Sequence, residues 1–275
     1  MTDLYAVFGN PIAHSRSPAI HTRFAAACAQ DMAYEARLAP LDAFAASIRE
    51  FVAAGGKGAN VTVPFKEEAF RLCTRLTPRA ERAGAVNTLV FDGADILGDN
   101  TDGAGLLRDI EHNLAQPLAG RRVLLLGAGG AARGALVPLL AAQPASLAIA
   151  NISVDKAHEL ADGVADLGRV EALGFPDLAG RQFDVVINAT SASLSGATLP
   201  LPSGLYAPGS LAYEMMYGKD ETPFMAQARN DGAAHWVDGL GMLVEQAAEA
   251  FVLWRGVRPP TAPVLTGLRA QLAAQ

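Results

Sequence analysis

A run of glycines near the middle of the chain constrains the fold most. The apolar segment Val123–Leu126 runs directly into Gly127-Ala-Gly-Gly-Ala-Ala132, and a helix-like segment follows. This G-x-G-x-x-A pattern permits a tight turn, a close approach of the backbone to a pyrophosphate, and close packing of the helix on the strand. Tight turns use glycine anyway, but strand, glycines and helix together predict a dinucleotide-binding loop. The predicted contacts in it are Gly127, Ala128, Gly129, Gly130 and Ala131.

The next strand indicates which dinucleotide is bound. Ser146–Ala150 ends at Asn151, about where an acidic residue would bind the adenosine ribose hydroxyls of NAD. Asn151 and Ser153 can instead donate hydrogen bonds, and Lys156 adds positive charge, so a ribose 2′-phosphate is tolerated better than beside Asp or Glu. We therefore expect NADP. The alternative is that Lys156 is a solvated helix residue whose field Asp155 partly cancels.

Small polar residues follow a further apolar strand. Val185–Asn188 leads into Thr190 and Ser191. Ligands bind at the carboxyl ends of the strands in an open α/β sheet, which favours a place for both residues in the cofactor site. A polar turn with local caps accounts for them equally well.

The order of elements predicts the fold class. Short apolar runs alternate with helix-like segments along most of the 275 residues, which is typical of α/β proteins with parallel sheets. The length slightly favours two domains. A hairpin-like pair of strands around Asp92-Gly93 leads to Asp99–Gly103, where we place the first boundary, and Gly239–Trp254 is a helix-like return after the central unit.

Composition excludes several classes of protein. A hydrophobic fraction of 51% with 18% charged residues is typical of a folded globular chain. A net charge of -6 offers no basic face to nucleic acid, and Cys28 and Cys73 have no further ligands at metal spacing. The chain starts without a signal-peptide pattern and contains no apolar run that could span a bilayer. We therefore expect a cytoplasmic protein that binds small molecules, with no metal, nucleic acid or membrane.

Lys66 is the candidate for proton transfer. It ends the segment Gly58-Ala-Asn-Val-Thr-Val-Pro-Phe-Lys66 in a chain that takes most of its positive charge from arginine. A lysine in a partly dry pocket can exchange its proton, whereas arginine keeps it. Asn60 and Thr62 alternate with valines, so a strand would send both hydrogen-bonding side chains to one face. The alternative is an ordinary surface lysine after a core strand.

Four further clusters combine small polar residues with glycine and together predict one polar pocket. They are Gly9–Pro18, Ala85–Thr88, Asp99–Gly103 and Asp238–Gln246. With the segment that ends at Lys66, their order and spacing resemble the shikimate dehydrogenase family over nearly the whole chain. Each motif is modest by itself, but the combination is specific.

The resemblance implies a two-domain α/β fold, in which an N-terminal α/β substrate domain completed by C-terminal helices carries an inserted Rossmann-fold dinucleotide-binding domain. The substrate-binding and catalytic domain would comprise residues 1–103 and 239–275, and the NADP-binding domain residues 104–238. The implied reaction is the reversible reduction of 3-dehydroshikimate to shikimate by NADPH, in aromatic amino-acid (chorismate) biosynthesis. The expected assembly is a monomer or homodimer.

The resemblance also assigns roles to residues. Lys66 and Asp102 match the pair assigned to proton transfer, and Ser15 and Ser17 match the serines that hold the substrate carboxylate. The predicted substrate-binding residues are Ser15, Ser17, Asn60, Thr62, Lys66, Asn87, Asp102, Tyr217 and Gln246. Those predicted to complete the cofactor site are Asn151, Ser153, Lys156, Thr190, Ser191, Gly239 and Met242. Of the histidines considered for proton transfer, His14 is expected to pack in its loop and His21 to face outward from its helix.

The chain departs from the family pattern at two positions. Ile152 stands where NADP-preferring members commonly carry the arginine of Asn-Arg-Thr, and Glu214 stands where aspartate is usual. The nearest rival function is an NAD-preferring quinate or quinate/shikimate dehydrogenase, which Ile152 favours. A rival of another class is a non-catalytic sensor of shikimate or of a nucleotide, and Lys66, Asp102 and the glycine loop count against it.

Overall fold

The computed structural model describes residues 2–274, which form two compact units. The first unit comprises the chain up to Gly105 together with Val244–Thr266. The second comprises Leu106–Leu243 and the residues from Gly267 onward. Each unit has its own β-sheet covered by helices, so the predicted two-domain α/β class is confirmed.

The first unit is built on a mixed sheet. Its elements are β1 (Asp3–Gly9), α1 (Ser17–Ala27), β2 (Met32–Leu38), α2 (Phe44–Ala53), β3 (Gly56–Val61), α3 (Lys66–Leu72), β4 (Arg75–Leu76), α4 (Pro78–Ala83), β5 (Thr88–Asp92), β6 (Asp95–Asp99) and the start of α5 (Asp102–Arg108). The strands pair in the order β2-β1-β3-β5-β6-β4. Because β1 and β3 are parallel neighbours, the loops that follow Gly9 and Val61 leave the same edge of the sheet. The antiparallel pair β5 and β6 is the predicted hairpin.

The second unit is a parallel sheet with the strand order of a dinucleotide-binding fold. Its elements after α5 are a π-helical turn (Asp109–Asn113), β7 (Arg122–Leu126), α6 (Gly130–Ala141), β8 (Ser146–Ala150), α7 (Val154–Asp162), β9 (Val170–Leu173), β10 (Phe183–Asn188), β11 (Tyr206–Glu214), α8 (Pro223–Asn230) and β12 (His235–Val237). Two helices follow in the chain, α9 (Leu240–Arg255) and α10 (Ala262–Ala273), of which the part Val244–Thr266 belongs to the first unit. The strands pair in the order β9-β8-β7-β10-β11-β12, which is the Rossmann arrangement.

The apolar run in β7 has a direct structural reason. Val123 and Leu125 belong to the apolar cluster on one face of the sheet, and Leu124 and Leu126 belong to the cluster on the other face. All four side chains are fully buried. A parallel strand covered by helices on both faces needs apolar residues at every position, rather than at alternate ones.

In the first unit, β3 separates apolar from polar side chains. Val61 packs in a core with Phe8, Phe51 and Phe65. Asn60, its neighbour, makes polar contacts on the opposite face. The predicted alternation holds only up to Val61, where β3 ends, and Thr62 and the exposed Val63 lie beyond the strand. One face of β3 therefore carries polar side chains that a ligand can contact, while the other face packs in the core.

The compact units differ at their edges from the ranges predicted from the sequence. Residues 239–243 and those from 267 onward group with the second unit. The Gly239 N–H donates to the Met216 carbonyl at 2.9 Å, and the Arg269 guanidinium binds both carboxylate oxygens of Asp238. Within the described part of the chain, every helix is too short or too polar to cross a membrane.

Candidate functional site

The two residues predicted to transfer a proton lie in contact. Lys66 begins α3 and Asp102 begins α5, and the Lys66 Nζ donates to Asp102 Oδ2 at 2.6 Å. The side chains are 31% and 15% exposed, so the pair is partly shielded while the ammonium can still reach a ligand. The other carboxylate oxygen of Asp102 accepts from Asn87 Nδ2 at 2.8 Å. Both oxygens are thereby held, which fixes the carboxylate and with it the position of the ammonium.

Asn87 lies at the centre of a hydrogen-bond network. Its Oδ1 accepts from the Thr101 backbone N–H and from Thr88 Oγ1, each at 2.9 Å. Its Nδ2 faces Asp102, and also lies 3.0 Å from Thr101 Oγ1 and 3.3 Å from Gln246 Oε1. The backbone N–H of Thr101 can only donate and the Asp102 carboxylate only accept, so the orientation of the Asn87 amide is determined. Four of the predicted site residues, namely Lys66, Asn87, Asp102 and Gln246, are therefore brought together.

Asn60 is connected to the same network. Its Nδ2 donates to the Asn87 carbonyl at 3.1 Å and to Thr88 Oγ1 at 3.0 Å, and its Oδ1 accepts from Tyr34 Oη at 2.7 Å. Asn60 is only 6% exposed. It is thus a rigid group rather than a mobile surface amide.

The predicted position of His21 is wrong. The side chain is completely buried, and its ring stacks on that of Tyr34 with 4.2 Å between centroids. Burial lowers the pKa of His21 to about 3, and the neighbouring Asn60 acts in the opposite direction. Aromatic residues of α9, in the C-terminal part of the chain, pack against His21. The local sequence pattern of α1 could not indicate this contact. His14 is exposed.

The first loop, which leads to Ser15 and Ser17, starts beside the end of β3. Ser15 Oγ accepts from the Ser17 N–H at 3.3 Å, and Ser17 is buried. Gly9 brings this loop close to Thr62, because a Cβ at Gly9 would lie 2.5 Å from Thr62 Cγ2. The first-unit candidates therefore belong to neighbouring loops. Tyr217 is half-buried and belongs to the second unit.

The glycine loop of the second unit has the geometry of an anion site. Gly127 has φ +101°, a left-handed conformation that favours glycine, and a Cβ there would lie 3.1 Å from Thr190 Cγ2. Apart from adjacent residues and, for Gly130, the backbone of its own helix, no described atom lies within 4 Å of a Cβ built on Gly129 or Gly130. Gly129 precedes α6 and has no side chain with which to cap it. The loop therefore leaves the first N–H groups of α6 open to a phosphate.

The loop after β8 contains the residues predicted to distinguish the dinucleotides. Asn151 Nδ2 donates to the Ser153 carbonyl at 3.0 Å, which holds the loop, and Ser153 precedes α7. Lys156 is exposed in the first turn of α7. Ile152 is 80% exposed, an unusual position for a large apolar side chain. Ala150 and Asn151, rather than an acidic residue, stand at the end of β8, so the loop suits a phosphate better than a pair of ribose hydroxyls.

The loops after β10 and β11 are joined by a residue to which the sequence assigned no role. Glu214 is fully buried, and its carboxylate accepts from Asn188 Nδ2 at 2.9 Å, Ser193 Oγ at 2.6 Å and the Met216 N–H at 3.1 Å. Burial raises the pKa of Glu214, and the hydrogen bonds from Ser193 and Met216 oppose this effect. Glu214 thus holds both loops at the carboxyl edge of the sheet.

The remaining cofactor candidates have structural contacts of their own. Thr190 donates from its N–H and its Oγ1 to Asn188 Oδ1, at 3.0 and 2.8 Å, as expected for a locally capped polar turn. Ser191 follows it in the same loop and is exposed. A Cβ at Gly239 would lie 2.2 Å from the Met215 carbonyl oxygen, so only glycine fits there. Met242 is buried in the apolar cluster of the second unit.

Comparison with known proteins shows what the chain is similar to. Residues 7–89 match the family described as shikimate dehydrogenase substrate binding domain, residues 109–196 match shikimate / quinate 5-dehydrogenase, and residues 239–266 match the shikimate 5′-dehydrogenase C-terminal domain. A curated relative from Dechloromonas aromatica (strain RCB), named shikimate dehydrogenase (NADP(+)), is 69% identical over 274 residues that span 100% of both chains.

Solved structures are similar over the same extent. An Ael1 enzyme from Pseudomonas putida is 51% identical, with a TM-score of 0.93 over 97% of this chain and 98% of the other. Shikimate 5-dehydrogenase from Thermus thermophilus, in complex with NADP(H) and shikimate, is 31% identical, with a TM-score of 0.87 over 98% of this chain and 100% of the other.

Proposed function

This chain belongs to the shikimate dehydrogenase family, and we propose that it catalyses the reversible reduction of 3-dehydroshikimate to shikimate by NADPH. The resemblance inferred from the polar motifs is confirmed by the curated relatives. The expectation of NADP as cofactor agrees with the name of the relative that is 69% identical. The observation that carries the proposal within the structure is the 2.6 Å contact between Lys66 and Asp102.

We assign the two parts of the reaction to the two units. The first unit, which contains Lys66 and Asp102, is proposed to bind the substrate and supply the proton. The second unit, which contains the glycine loop, is proposed to bind NADPH. We further propose that the protein acts in the cytoplasm, in chorismate biosynthesis, as a monomer or homodimer.

Lys66 supplies the proton in this mechanism. NADPH, when bound, supplies the hydride that no side chain can provide. As the carbonyl carbon gains hydride, its oxygen gains negative charge, and the Lys66 ammonium donates a proton to it. Asp102 favours the ammonium form and orients it through the 2.6 Å contact, while Asn87 holds the opposite carboxylate oxygen. In the reverse direction the neutral amine accepts the proton from the shikimate hydroxyl.

The remaining polar groups of the first unit select the substrate. Ser15 and Ser17 would bind its carboxylate, and Asn60, Thr62, Asn87 and Gln246 its hydroxyls. Neutral donors and acceptors that are already buried discriminate strongly, because a ring without the matching hydroxyl leaves them unpaired. Tyr217 is proposed as a further contact to the carboxylate, as the family resemblance implies.

The chain's own residues fit NADPH. The open N-terminus of α6 and the space beside Gly129 and Gly130 suit the pyrophosphate. Asn151, Ser153 and Lys156 would hold the 2′-phosphate without the usual arginine. The proposed contacts at the carboxyl edge of the sheet are Ala128, Ala131, Thr190, Ser191, Gly239 and Met242.

Initial rates with each pair of substrates test the assignment. We expect the highest kcat/KM with shikimate and NADP. A kcat/KM for quinate and NAD that exceeds it would support the rival function that Ile152 favours. The absence of turnover with every pair, in a chain that still binds shikimate, would instead support a non-catalytic sensor.

Replacement of Lys66 by alanine tests the mechanism. Loss of a positioned acid should lower kcat by about 100-fold to 10,000-fold, with a much smaller change in the dissociation constant of shikimate. Lys57, an exposed lysine on β3, is the matched control, and Lys57→Ala should leave both quantities unchanged. An unchanged kcat in Lys66→Ala would refute proton transfer by Lys66.

A further inference from the structure

Tyr34 contacts the proposed substrate site through Asn60, from a strand that contributes no predicted site residue. It belongs to β2, where it stands opposite Tyr5 of β1, and its ring stacks on the buried His21 with 12° between the planes. Burial raises the pKa of the Tyr34 phenol well above its usual value, and the nearby Ser17 hydroxyl acts against this effect. The Tyr34 hydroxyl therefore stays protonated beside two proposed substrate contacts, Ser17 and Asn60.

The direction of the hydrogen bond between Tyr34 and Asn60 follows from the groups around it. The Asn87 backbone carbonyl can only accept, so the atom of Asn60 that lies 3.1 Å from it must be Nδ2. The amide oxygen of Asn60 then faces Tyr34, and the phenol must donate its proton at 2.7 Å. The second amide proton points to Thr88 Oγ1, which in turn donates to Asn87 Oδ1.

This direction limits what Asn60 can offer a ligand. Both of its amide protons are used, by Asn87 and Thr88, and one lone pair of Oδ1 is used by Tyr34. The nitrogens of the neighbouring His21 ring make no hydrogen bond, so a single acceptor position remains on Oδ1. Asn60 can therefore accept a proton from a ring hydroxyl but has none to donate. Without the phenol, Oδ1 would lose its 2.7 Å contact, and the amide would be held through Nδ2 alone.

We infer that Tyr34 is a positioning residue for substrate recognition, because it holds Asn60 as an acceptor for one ring hydroxyl. This inference rests on the proposed function, since it takes a hydroxylated ring acid as the ligand. Tyr34 acts through Asn60 and has no part in the transfer of hydride or proton. Its loss should therefore weaken substrate binding and leave turnover of bound substrate nearly intact.

Tyr34→Phe removes the hydroxyl and keeps the ring on His21. We expect the dissociation constant and the KM of shikimate to rise about 3- to 10-fold, the effect of one neutral hydrogen bond, with kcat and the KM of NADP within twofold of wild type. Tyr5→Phe is the matched control. Tyr5 is its partner in register and is equally part of the first unit, but its hydroxyl contacts Arg255. That variant should bind shikimate like wild type.

A double-mutant cycle separates positioning from general loosening of the unit. In an Asn60→Ala background, Tyr34→Phe should change shikimate binding by less than twofold, because the group that it positions is gone. An equal effect in both backgrounds, or a Tyr34→Phe variant that binds shikimate as tightly as wild type, would overturn the inference.

Wild-type protein provides a test that does not depend on the folding of a variant. Shikimate analogues in which one ring hydroxyl is replaced by fluorine keep an acceptor but cannot donate. At the ring position whose hydroxyl donates to Asn60, the fluoro analogue should bind as weakly as the analogue that carries hydrogen in place of that hydroxyl. If every fluoro analogue binds like shikimate, the inference fails while the proposed function stands. If wild type neither binds nor turns over shikimate, the proposed function fails and the inference fails with it.

Discussion

Replacing Arg79 by methionine should lower the free energy of unfolding of the first unit by about 2–3 kcal/mol. Arg79 binds Asp99 with Nε 2.7 Å from Oδ1 and a terminal nitrogen 2.5 Å from Oδ2, and the Asp99 side chain is only 2% exposed. Breaking a buried pair on one side typically costs about 3–5 kcal/mol. We expect less here because Arg79 is 30% exposed, and because Asp99 keeps hydrogen bonds from Thr77 and from the Asn100 N–H.

The effect should depend on pH. Burial by itself raises the pKa of Asp99, but hydrogen bonds and the charge of Arg79 outweigh it, so the pKa is lowered overall. A lowered carboxyl pKa in the folded state contributes stability above the unfolded pKa, about 3.9, and that stability is lost as pH falls through the folded pKa. The difference between wild type and Arg79→Met should therefore be largest near neutral pH and narrow below about pH 4.

Urea unfolding followed by tryptophan fluorescence measures this difference. The chain has two tryptophans, and Trp236→Phe leaves Trp254 as the reporter of the first unit. Arg75→Met, which changes an exposed arginine of the same unit, is the control and should shift stability by about 0.5 kcal/mol or less. If Arg79→Met lowers the free energy of unfolding by less than about 1 kcal/mol, or by the same amount at every pH, the reasoning is refuted.

Three other substitutions have defined outcomes. Gly105→Ala would place a Cβ 2.5 Å from the Gln246 backbone nitrogen. Because this clash should displace Gln246, a proposed substrate contact, we expect the KM of shikimate to rise about threefold or more. An unchanged KM would contradict this. Ile152→Arg adds a charge-assisted donor for the 2′-phosphate and should raise the NADP-to-NAD ratio of kcat/KM about tenfold; equal changes for both cofactors would argue against it. Glu214→Gln places amide N–H groups opposite other donors and should lower the free energy of unfolding, measured by thermal unfolding, by about 1–3 kcal/mol. An unchanged stability would contradict this.

Much of the fold could be predicted because its signals are local. The unbroken apolar run in β7 and the glycines after it follow from a strand buried on both faces and a tight turn. The hairpin of β5 and β6 follows from Asp92-Gly93. The bounds of the two domains stay predictions, and contacts such as Arg269 with Asp238 join segments that no local pattern relates.

In the candidate site, too, some residues could be predicted from local motifs and others could not. The motifs were sufficient to select Lys66, Asn87, Asp102 and Gln246, whose contact the structure then shows. Their roles in catalysis and binding stay predictions. His21 was misplaced because its burial depends on α9, more than two hundred residues away in the chain. Glu214 was noticed only as a departure from the family pattern.

The sequence by itself determined the α/β class and the family, because these depend on the order and spacing of motifs along the chain. It also determined the dinucleotide loop and the residue types available for proton transfer, because these depend on short segments. Only the tertiary structure decided which groups pair. Tyr34 is 26 residues from Asn60 in the chain, yet its phenol donates to the Asn60 amide oxygen. The physical reason is that strand register and helix packing, rather than local pattern, bring donors to acceptors, and a hydrogen bond exists only where both groups meet within about 3 Å.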